Sequence, residues 1–324
     1  MSRLEKTIGA RSVLVLLIIT VLIRIGFTFG ANWLITEQAL NQPEIYYVFT
    51  MLHEVITLGI PLFTFIYLFR PRYMPVLKVQ MAYPPLAAAL RTVLAAVVGA
   101  LALDLYINLW GLLLEALNIQ IWLPDVPLPG NGAQIILAVA AVGITPAVLE
   151  ELLFRGAVLE GLKRELPQKA TLWLSALLFA FMHGSLIGLP AHIALGLIIT
   201  LLALRQNNLQ LPMIYHFSHN AASLIISLYI RNITQGMNLE AQAEAMQGTS
   251  ILPAVFSVFS LAMMATFAFW LLIRPLLATA SVQKTVSIPQ EYSMLLKSRK
   301  IVILLTALLF LLLLPSYVLG LFPV

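Results

Sequence analysis

The sequence predicts an all-α membrane protein, a bundle of eight or nine transmembrane helices, and two observations carry this prediction. Of the 324 residues, 60% are hydrophobic and only 10% are charged, and the mean hydropathy is +0.94. In a soluble domain about a quarter of the residues are charged. The apolar residues also fall into nine stretches, each close to the roughly 20 residues that a helix needs to cross a bilayer. An ordinary water-soluble protein is therefore excluded.

The nine stretches predict nine consecutive helices. They cover approximately residues 11–35, 45–69, 86–116, 133–161, 170–187, 189–205, 209–230, 251–273 and 301–321. The fifth and sixth are short and meet at the segment HGSLIGLP, so one broken hairpin, and hence eight spans, is the alternative. The first stretch follows three basic residues, as a signal peptide does, but it is too long, contains Arg24 and lacks a small-residue cleavage site. We expect it to be a retained membrane helix.

The positions of Lys and Arg predict the orientation, because these residues are retained in cytoplasmic loops. The N-terminal segment and alternate loops hold most of them. The opposite loops contain only one basic residue, Arg231, beside the acidic residues Glu37, Glu44, Asp125, Glu240 and Glu244. We therefore expect a multi-pass protein of the cell membrane with its N-terminus in the cytoplasm. The net charge of +5 reflects this topology, and we expect no nucleic-acid partner.

Ionisable residues inside transmembrane helices are rare and mark functional sites by default. One set lies in the first three stretches and comprises Arg24, His53, Glu54, Asp104 and Glu115. Arg24 and Glu54 are nearly equidistant from the loop between the first two helices, so they reach a similar depth. We expect a structural ion pair there. The segment LHEVIT does not complete the zinc motif H-E-x-x-H, because Thr57 takes the place of the second histidine.

A second set of ionisable and polar residues lies in the fourth to seventh stretches and is geometrically more coherent. Glu150 and His183 are equally far from the polar turn between the fourth and fifth helices. An antiparallel hairpin therefore places them at the same depth. Glu151 and Arg155 are four residues apart and share a helix face, so they can pair. Glu150, one position earlier than Glu151, then remains free on another face.

The seventh stretch adds an imidazole and an amide, His216 and Asn220, which are also four residues apart. His219 turns to a different face of the same helix. Together with Glu150 and His183 these residues predict a hydrolytic site. A carboxylate in a poorly hydrated cavity can act as a general base, an imidazole at the same depth can position the water, and two donors on a third helix can stabilise an oxyanion.

Two histidines and a carboxylate also match the ligand set of a catalytic zinc that keeps one position open. His183, His216 and Glu150 would be the ligands. The residues by themselves therefore leave a metal-dependent mechanism open beside a metal-free one.

The three motifs EELLFR, FAFMH and HFSHN resemble the signature of the type II CAAX prenyl endopeptidase family, also called the abortive-infection or CPBP family of intramembrane proteases. The family pattern is Glu-Glu-x3-Arg, then Phe-x3-His, then His-x3-Asn. In this chain the pattern falls on Glu150, Glu151, Arg155, Phe179, His183, His216 and Asn220. The resemblance covers approximately residues 135–230. We expect these residues to be the catalytic core of a single membrane domain over 1–324, with accessory helices in 1–130 and 250–324.

The resemblance implies a role for each matching residue. Glu150 activates the water, His183 holds that water, and His216 and Asn220 form the oxyanion hole. The resemblance also favours a mechanism without a metal or other cofactor, because Asn220 is a poor zinc ligand and a good oxyanion donor.

The remaining motif residues have supporting roles in the family. The resemblance implies that Glu151 and Arg155 form a pair that fixes the helix, and that Phe179 lines the pocket. It further implies a water-admitting cavity enclosed by helices four to seven. The implied substrate is a membrane-associated protein or peptide, with or without a lipid. Two other functions compatible with the same residues are a transporter with a proton relay and a catalytically silent immunity or scaffold protein.

Overall fold

The part of the chain that the computed structural model describes contains helices and no strands, and it comprises residues 9–34, 39, 41–69, 83–119, 126–234, 250, 252–278 and 302–313. The helices are α1 Ala10–Leu34, α2 Pro43–Phe69, α3 Leu86–Ala116, α4 Gly132–Lys163, α5 Gln168–Met182, α6 Leu189–Gln206, α7 Gln210–Thr234, α8 Leu252–Ala278 and α9 Val302–Leu313. Within these ranges, α1 to α4, α6 and α8 are long and apolar enough to cross a membrane. The chain is thus an all-α, multi-pass membrane protein, and the number of eight or nine spans stays a prediction.

The helix boundaries agree with most ends of the predicted stretches. Helices α7 and α8 end at Thr234 and Ala278, several residues later than expected, and the predicted end of the ninth stretch lies outside the described residues. The boundaries also differ at the HGSLIGLP segment. There α5 ends at Met182, several residues earlier than expected, and α6 begins at Leu189 with a proline in its first turn. Gly184 adopts φ = +65°, a conformation that favours glycine. The Trp110 indole of α3 donates a hydrogen bond to the Leu186 carbonyl, at 3.1 Å. The predicted break is therefore present, and it places His183 directly after the end of α5.

Helix α4 departs from regular α-helical geometry on both sides of its acidic residues. Two π-helical segments, Val139–Ile144 and Leu152–Val158, flank the α-helical residues Thr145–Glu151. Helix α2 has a similar π-helical segment, Val55–Gly59, directly after Glu54. Such segments are rare and occur frequently at functional sites. They rotate the helix faces, so spacing in the sequence alone does not determine where each carboxylate points.

Packing places α4 at the centre of the helices that surround the site. It contacts α1, α2, α5 and α7, whereas α3 contacts α6, α7 and α8. Buried apolar residues of α1, α2, α4, α5, α6 and α7 form one continuous core. The two N-terminal helices therefore support the acidic segment of α4 directly.

Close packing of α6 on α5 depends on Gly196, and we expect Gly196→Ala to destabilise the protein. A Cβ at this position would lie 3.0 Å from the Ala176 carbonyl oxygen and 3.2 Å from Cδ1 of Phe179. Overpacking of this kind costs about 1–3 kcal/mol. Thermal unfolding in detergent, followed by tryptophan fluorescence, measures the effect.

The matched control for this substitution is Gly26→Ala in α1, where a Cβ meets no atom within 4 Å among the described residues. Alanine is the better helix former by about 0.5–1 kcal/mol, so we expect Gly26→Ala to leave the Tm unchanged or to raise it. Equal Tm values for the two variants would contradict the packing argument.

Candidate active site

Three side chains from separate parts of the bundle converge on one point. Oε2 of Glu150, on α4, lies 3.8 Å from Nε2 of His183 and 4.0 Å from Nε2 of His216 on α7. This Oε2 has no hydrogen-bond partner among the described residues. The separations are longer than hydrogen bonds and match pairs of polar atoms bridged by one water at about 2.8 Å from each. The structure thus brings Glu150, His183 and His216 together, as the sequence predicted.

The orientation of His183 follows from its second ring nitrogen. Nδ1 lies 2.9 Å from the backbone carbonyl oxygen of Phe179. Because a carbonyl only accepts, we assign the proton of the neutral ring to Nδ1, which leaves Nε2 as an acceptor toward Glu150. A water between the Glu150 carboxylate and Nε2 would donate one hydrogen to each. Its lone pairs would then be available for a nucleophilic attack.

Glu151 is the centre of a buried polar network. Its Oε1 accepts a hydrogen bond from Arg155 at 2.7 Å and lies 2.8 Å from Nδ1 of His216. Arg155 also donates to the Gly196 carbonyl, at 3.3 Å. The predicted pairing of Glu151 with Arg155 is present in the structure, but the sequence did not indicate that Glu151 also holds His216. This contact fixes the orientation of the His216 ring relative to α4.

The contact with Glu151 also decides what His216 can donate. An ionised carboxylate only accepts, so Nδ1 carries a proton, and Nε2 of the neutral ring is an acceptor. Nε2 can donate only when the ring is an imidazolium. The charge of that imidazolium would be compensated by the Glu151 carboxylate beside it. Such an orienting contact to a carboxylate is typical of functional histidines.

Glu150 and His183 differ in solvent accessibility from the salt bridge of Glu151 with Arg155. The side chains of Glu151 and Arg155 are 0% exposed, whereas those of Glu150 and His183 retain 9% and 14% of their accessible surface. Glu150 and His183 therefore keep a small exposed fraction, although Oε2 of Glu150 itself is buried, and the salt bridge between Glu151 and Arg155 is fully buried. The enclosed water-admitting cavity stays a prediction.

Phe179 lies under the two imidazoles and is itself fully buried. Its ring centroid is 4.7 Å from that of His183 and 5.8 Å from that of His216. The guanidinium carbon of Arg155 lies 4.4 Å from the Phe179 centroid, within the range of a cation–π interaction. Phe179 thus packs against both imidazoles and the guanidinium, and its role in lining the substrate pocket stays a prediction.

Asn220 lies one helical turn beyond His216, on α7. Its Nδ2 donates a hydrogen bond to the Val142 carbonyl oxygen of α4 at 2.8 Å. In a regular α-helix this carbonyl would accept from residue 146, but Pro146 has no N–H. One amide hydrogen of Asn220 therefore joins α7 to α4, and the second remains for another acceptor.

Two further histidines lie in the same region. His219 stacks over Tyr215, with ring centroids 6.3 Å apart, and so occupies another face of α7, as predicted. His192 of α6 was not among the predicted site residues, although its ring stacks on His183 with centroids 4.0 Å apart. The available signal was its position nine residues after His183, within one of the few polar parts of the apolar core.

The charged residues of α1 and α2 are closer to the site than the sequence suggested. Glu54 is buried, and Nδ1 of His53 lies 3.7 Å from its Oε1. The charge of Glu54 acts on both Glu150 and His183, and the charge of Arg24 acts on Glu54 and on Glu150. Both charges therefore contribute to the electrostatic field of the site, and the ion pair of Arg24 with Glu54 stays a prediction.

The described residues also bear on metal binding. Among them, no group of three or more His, Cys, Asp or Glu side chains is arranged to hold a metal ion. That the site works without a metal stays a prediction.

Comparison with known proteins adds one finding. Neither the curated proteins nor the solved structures gave a match. A family model does match, and it covers the segment that holds all seven motif residues. Over residues 132–222 the chain matches the family described as type II CAAX prenyl endopeptidase Rce1-like, a family of membrane proteases, which confirms the resemblance carried by the three motifs.

Proposed function

We propose that this protein is an intramembrane endopeptidase that hydrolyses a peptide bond with a water activated by Glu150. The observation that carries the proposal is the convergence of Glu150 with His183 and His216 at 3.8 and 4.0 Å. The match to a protease family over residues 132–222 supports the same reaction class.

In the first step Glu150 takes a proton from the water while Nε2 of His183 accepts the second hydrogen bond. The oxygen of the water attacks the carbonyl carbon, and a tetrahedral intermediate forms with negative charge on the former carbonyl oxygen. Two fixed acceptors orient the water, so little reorganisation is needed when the proton moves. The orientation of His183 by the Phe179 carbonyl supports this role.

The oxyanion is stabilised by Nε2–H of His216 in its imidazolium form and by the second amide hydrogen of Asn220. Glu151 holds Nδ1–H of His216 at 2.8 Å and compensates the charge of the ring. When the intermediate collapses, the C–N bond breaks and Glu150 returns its proton to the leaving nitrogen. The products are a carboxylic acid and an amine, the acid passes its proton to the amine to give a carboxylate and an ammonium, and Glu150 is ionised again.

The proposed substrate is a membrane-associated protein or peptide, with or without a lipid. The reacting atoms are buried between membrane helices, so the scissile bond must reach them in an extended segment held at the membrane. We further propose that the protein lies in the cell membrane with its N-terminus in the cytoplasm and without a metal cofactor.

The function is tested in two stages. Peptides are compared between cells that express the wild-type protein and cells that express Glu150→Gln, and a peptide processed only in the former is then tested with the purified protein in liposomes. In ¹⁸O-labelled water, hydrolysis places one ¹⁸O atom in the new carboxylate. Identical peptides in both cell lines, or proton-coupled uptake by the liposomes without cleavage, would refute the proposal.

For the oxyanion hole we expect Asn220→Ala to lower kcat by about 10²–10³-fold, the usual cost of one lost donor, with a small change in KM. Asn232→Ala, at an exposed position of the same helix, is the matched control and should leave kcat unchanged. Steady-state kinetics with the identified peptide measures both. A lower Tm with an unchanged kcat in Asn220→Ala would show that the amide serves only to join α7 to α4.

A further inference from the structure

The strongest feature that the proposed reaction leaves unexplained is His192, in the first turn of α6. Its backbone N–H donates to the Gly188 carbonyl at 2.8 Å, which is the first i to i−4 bond of that helix. Its Nδ1 is buried and has no hydrogen-bond partner among the described residues. Neither helix capping nor a polar contact of this atom accounts for a histidine at this position.

The His192 ring contacts the active site through His183. The two ring planes are inclined by only 24°, and their centroids are 4.0 Å apart. Phe179 contacts the His183 ring as well, with centroids 4.7 Å apart and planes inclined by 60°. His183 thus has one aromatic neighbour from its own helix and a second from α6.

This second contact matters because His183 lies just outside regular structure. It follows the last residue of α5, and residues 184–188 are not helical. A single hydrogen bond from Nδ1 to the Phe179 carbonyl holds one edge of the ring and does not by itself fix the ring plane. A flat neighbour stacked on its face removes this freedom and keeps Nε2 directed at Glu150.

The glycine before α6 makes room for the stacked ring. A Cβ at Gly188 would lie 2.6 Å from Cε1 and 3.0 Å from Nδ1 of His192, closer than real Cβ atoms approach. The φ of Gly188 is −80°, which any residue can adopt. Space for the His192 ring, and not backbone conformation, is therefore the reason for a glycine here.

We propose that His192 is a positioning residue, which fixes the ring plane of His183 and so aims Nε2 of His183 at the water beside Glu150. This inference rests on the proposed function, because it concerns the same site. His192 acts through His183 and needs no contact of its own with the substrate.

The test compares His192→Ala, which removes the ring, with His192→Phe, which keeps a flat ring without nitrogen atoms. We expect His192→Ala to lower kcat by about 10–100-fold, the usual effect of a small misplacement of a reacting group, with little change in KM. His192→Phe should recover most of the lost kcat. The matched control is His219→Ala, which removes another buried histidine stacked on an aromatic ring and should keep the wild-type kcat.

An NMR measurement separates this proposal from the proposed function. In protein with ¹³C-labelled histidine, the Hε1 signal of His183, assigned with His183→Gln, should shift in His192→Ala because the ring current of the neighbour is lost. It should not shift in His219→Ala. This readout needs no substrate, so it tests the stack even if the wild-type protein cleaves no peptide, a result that would refute the proposed function alone.

Three results would overturn the positioning role. They are an unchanged kcat in His192→Ala, a folded His192→Phe that is as slow as His192→Ala, and an unshifted His183 signal in His192→Ala. The second result would mean that a ring nitrogen of His192 acts directly. If His192→Phe does not elute as a monodisperse protein, the kcat of His192→Ala and the NMR signal decide between the outcomes.

Discussion

Glu150→Gln is expected to lower kcat by about 10²–10⁴-fold, the usual contribution of a general base, while the protein remains folded in the membrane. Glutamine has the same size and shape but cannot take a proton from the water. Because Oε2 of Glu150 has no hydrogen-bond partner among the described residues, the substitution breaks no hydrogen bond at that atom. Single-turnover cleavage of the identified peptide, together with a thermal unfolding curve, measures the effect.

The matched control is Glu160→Gln, on the same helix. Glu160 forms a salt bridge with Lys163 at 2.6 Å, and both side chains are partly accessible. We expect a wild-type kcat and a nearly unchanged Tm, because accessible ion pairs contribute only about 0–1 kcal/mol. If Glu150→Gln cleaves as fast as Glu160→Gln, Glu150 is not the base.

The largest loss of stability is expected for Arg155→Met. This substitution leaves the Glu151 carboxylate, which is 0% exposed, without its cation. It also removes the hydrogen bond to the Gly196 carbonyl and the contact with the Phe179 ring. Breaking a buried ion pair by removing one partner typically costs about 3–5 kcal/mol. We expect much less folded protein in the membrane and a much lower Tm.

The double variant Glu151→Gln/Arg155→Met tests whether the uncompensated charge of Glu151 causes this loss of stability. It removes both charges, and Oε1 of the glutamine can still accept from Nδ1 of His216. We therefore expect the double variant to be more stable than Arg155→Met alone, since paired buried charges can often be replaced together at little cost. A double variant that is less stable than Arg155→Met and than Glu151→Gln would show that the pair stabilises the protein by more than charge compensation.

Local spacing predicted a large part of the site. Glu151 and Arg155 pair as their i, i+4 spacing indicates, and Glu150 and His183 reach the same depth, as their equal distances from one turn require. These predictions succeeded because each depends on one helix or on two helices joined by a short turn. The break between α5 and α6 was also predictable, since its glycines and proline are visible in the sequence.

Contacts between distant helices were not predictable in this way. The bond of Glu151 to His216 spans 65 residues, and the stack of His192 on His183 depends on how α6 packs on α5. The field of Glu54 and Arg24 at Glu150 depends on the packing of α1 and α2 against α4. The π-helical segments beside Glu150 rotate its helix face, and no periodicity in the sequence indicated them.

The sequence alone determined that this chain is a helical membrane protein, because only 10% of its residues are charged and its nine apolar stretches have the length of about 20 residues that a membrane-spanning helix needs. The sequence also supplied the match to a protease family over residues 132–222 and the identity of the motif residues. The tertiary structure decided how those residues are oriented: which carboxylate is sealed with Arg155, which one faces two imidazole nitrogens, and which aromatic rings hold His183. The orientation of these side chains is set by packing between helices that are far apart in the chain, and local propensity does not determine that packing.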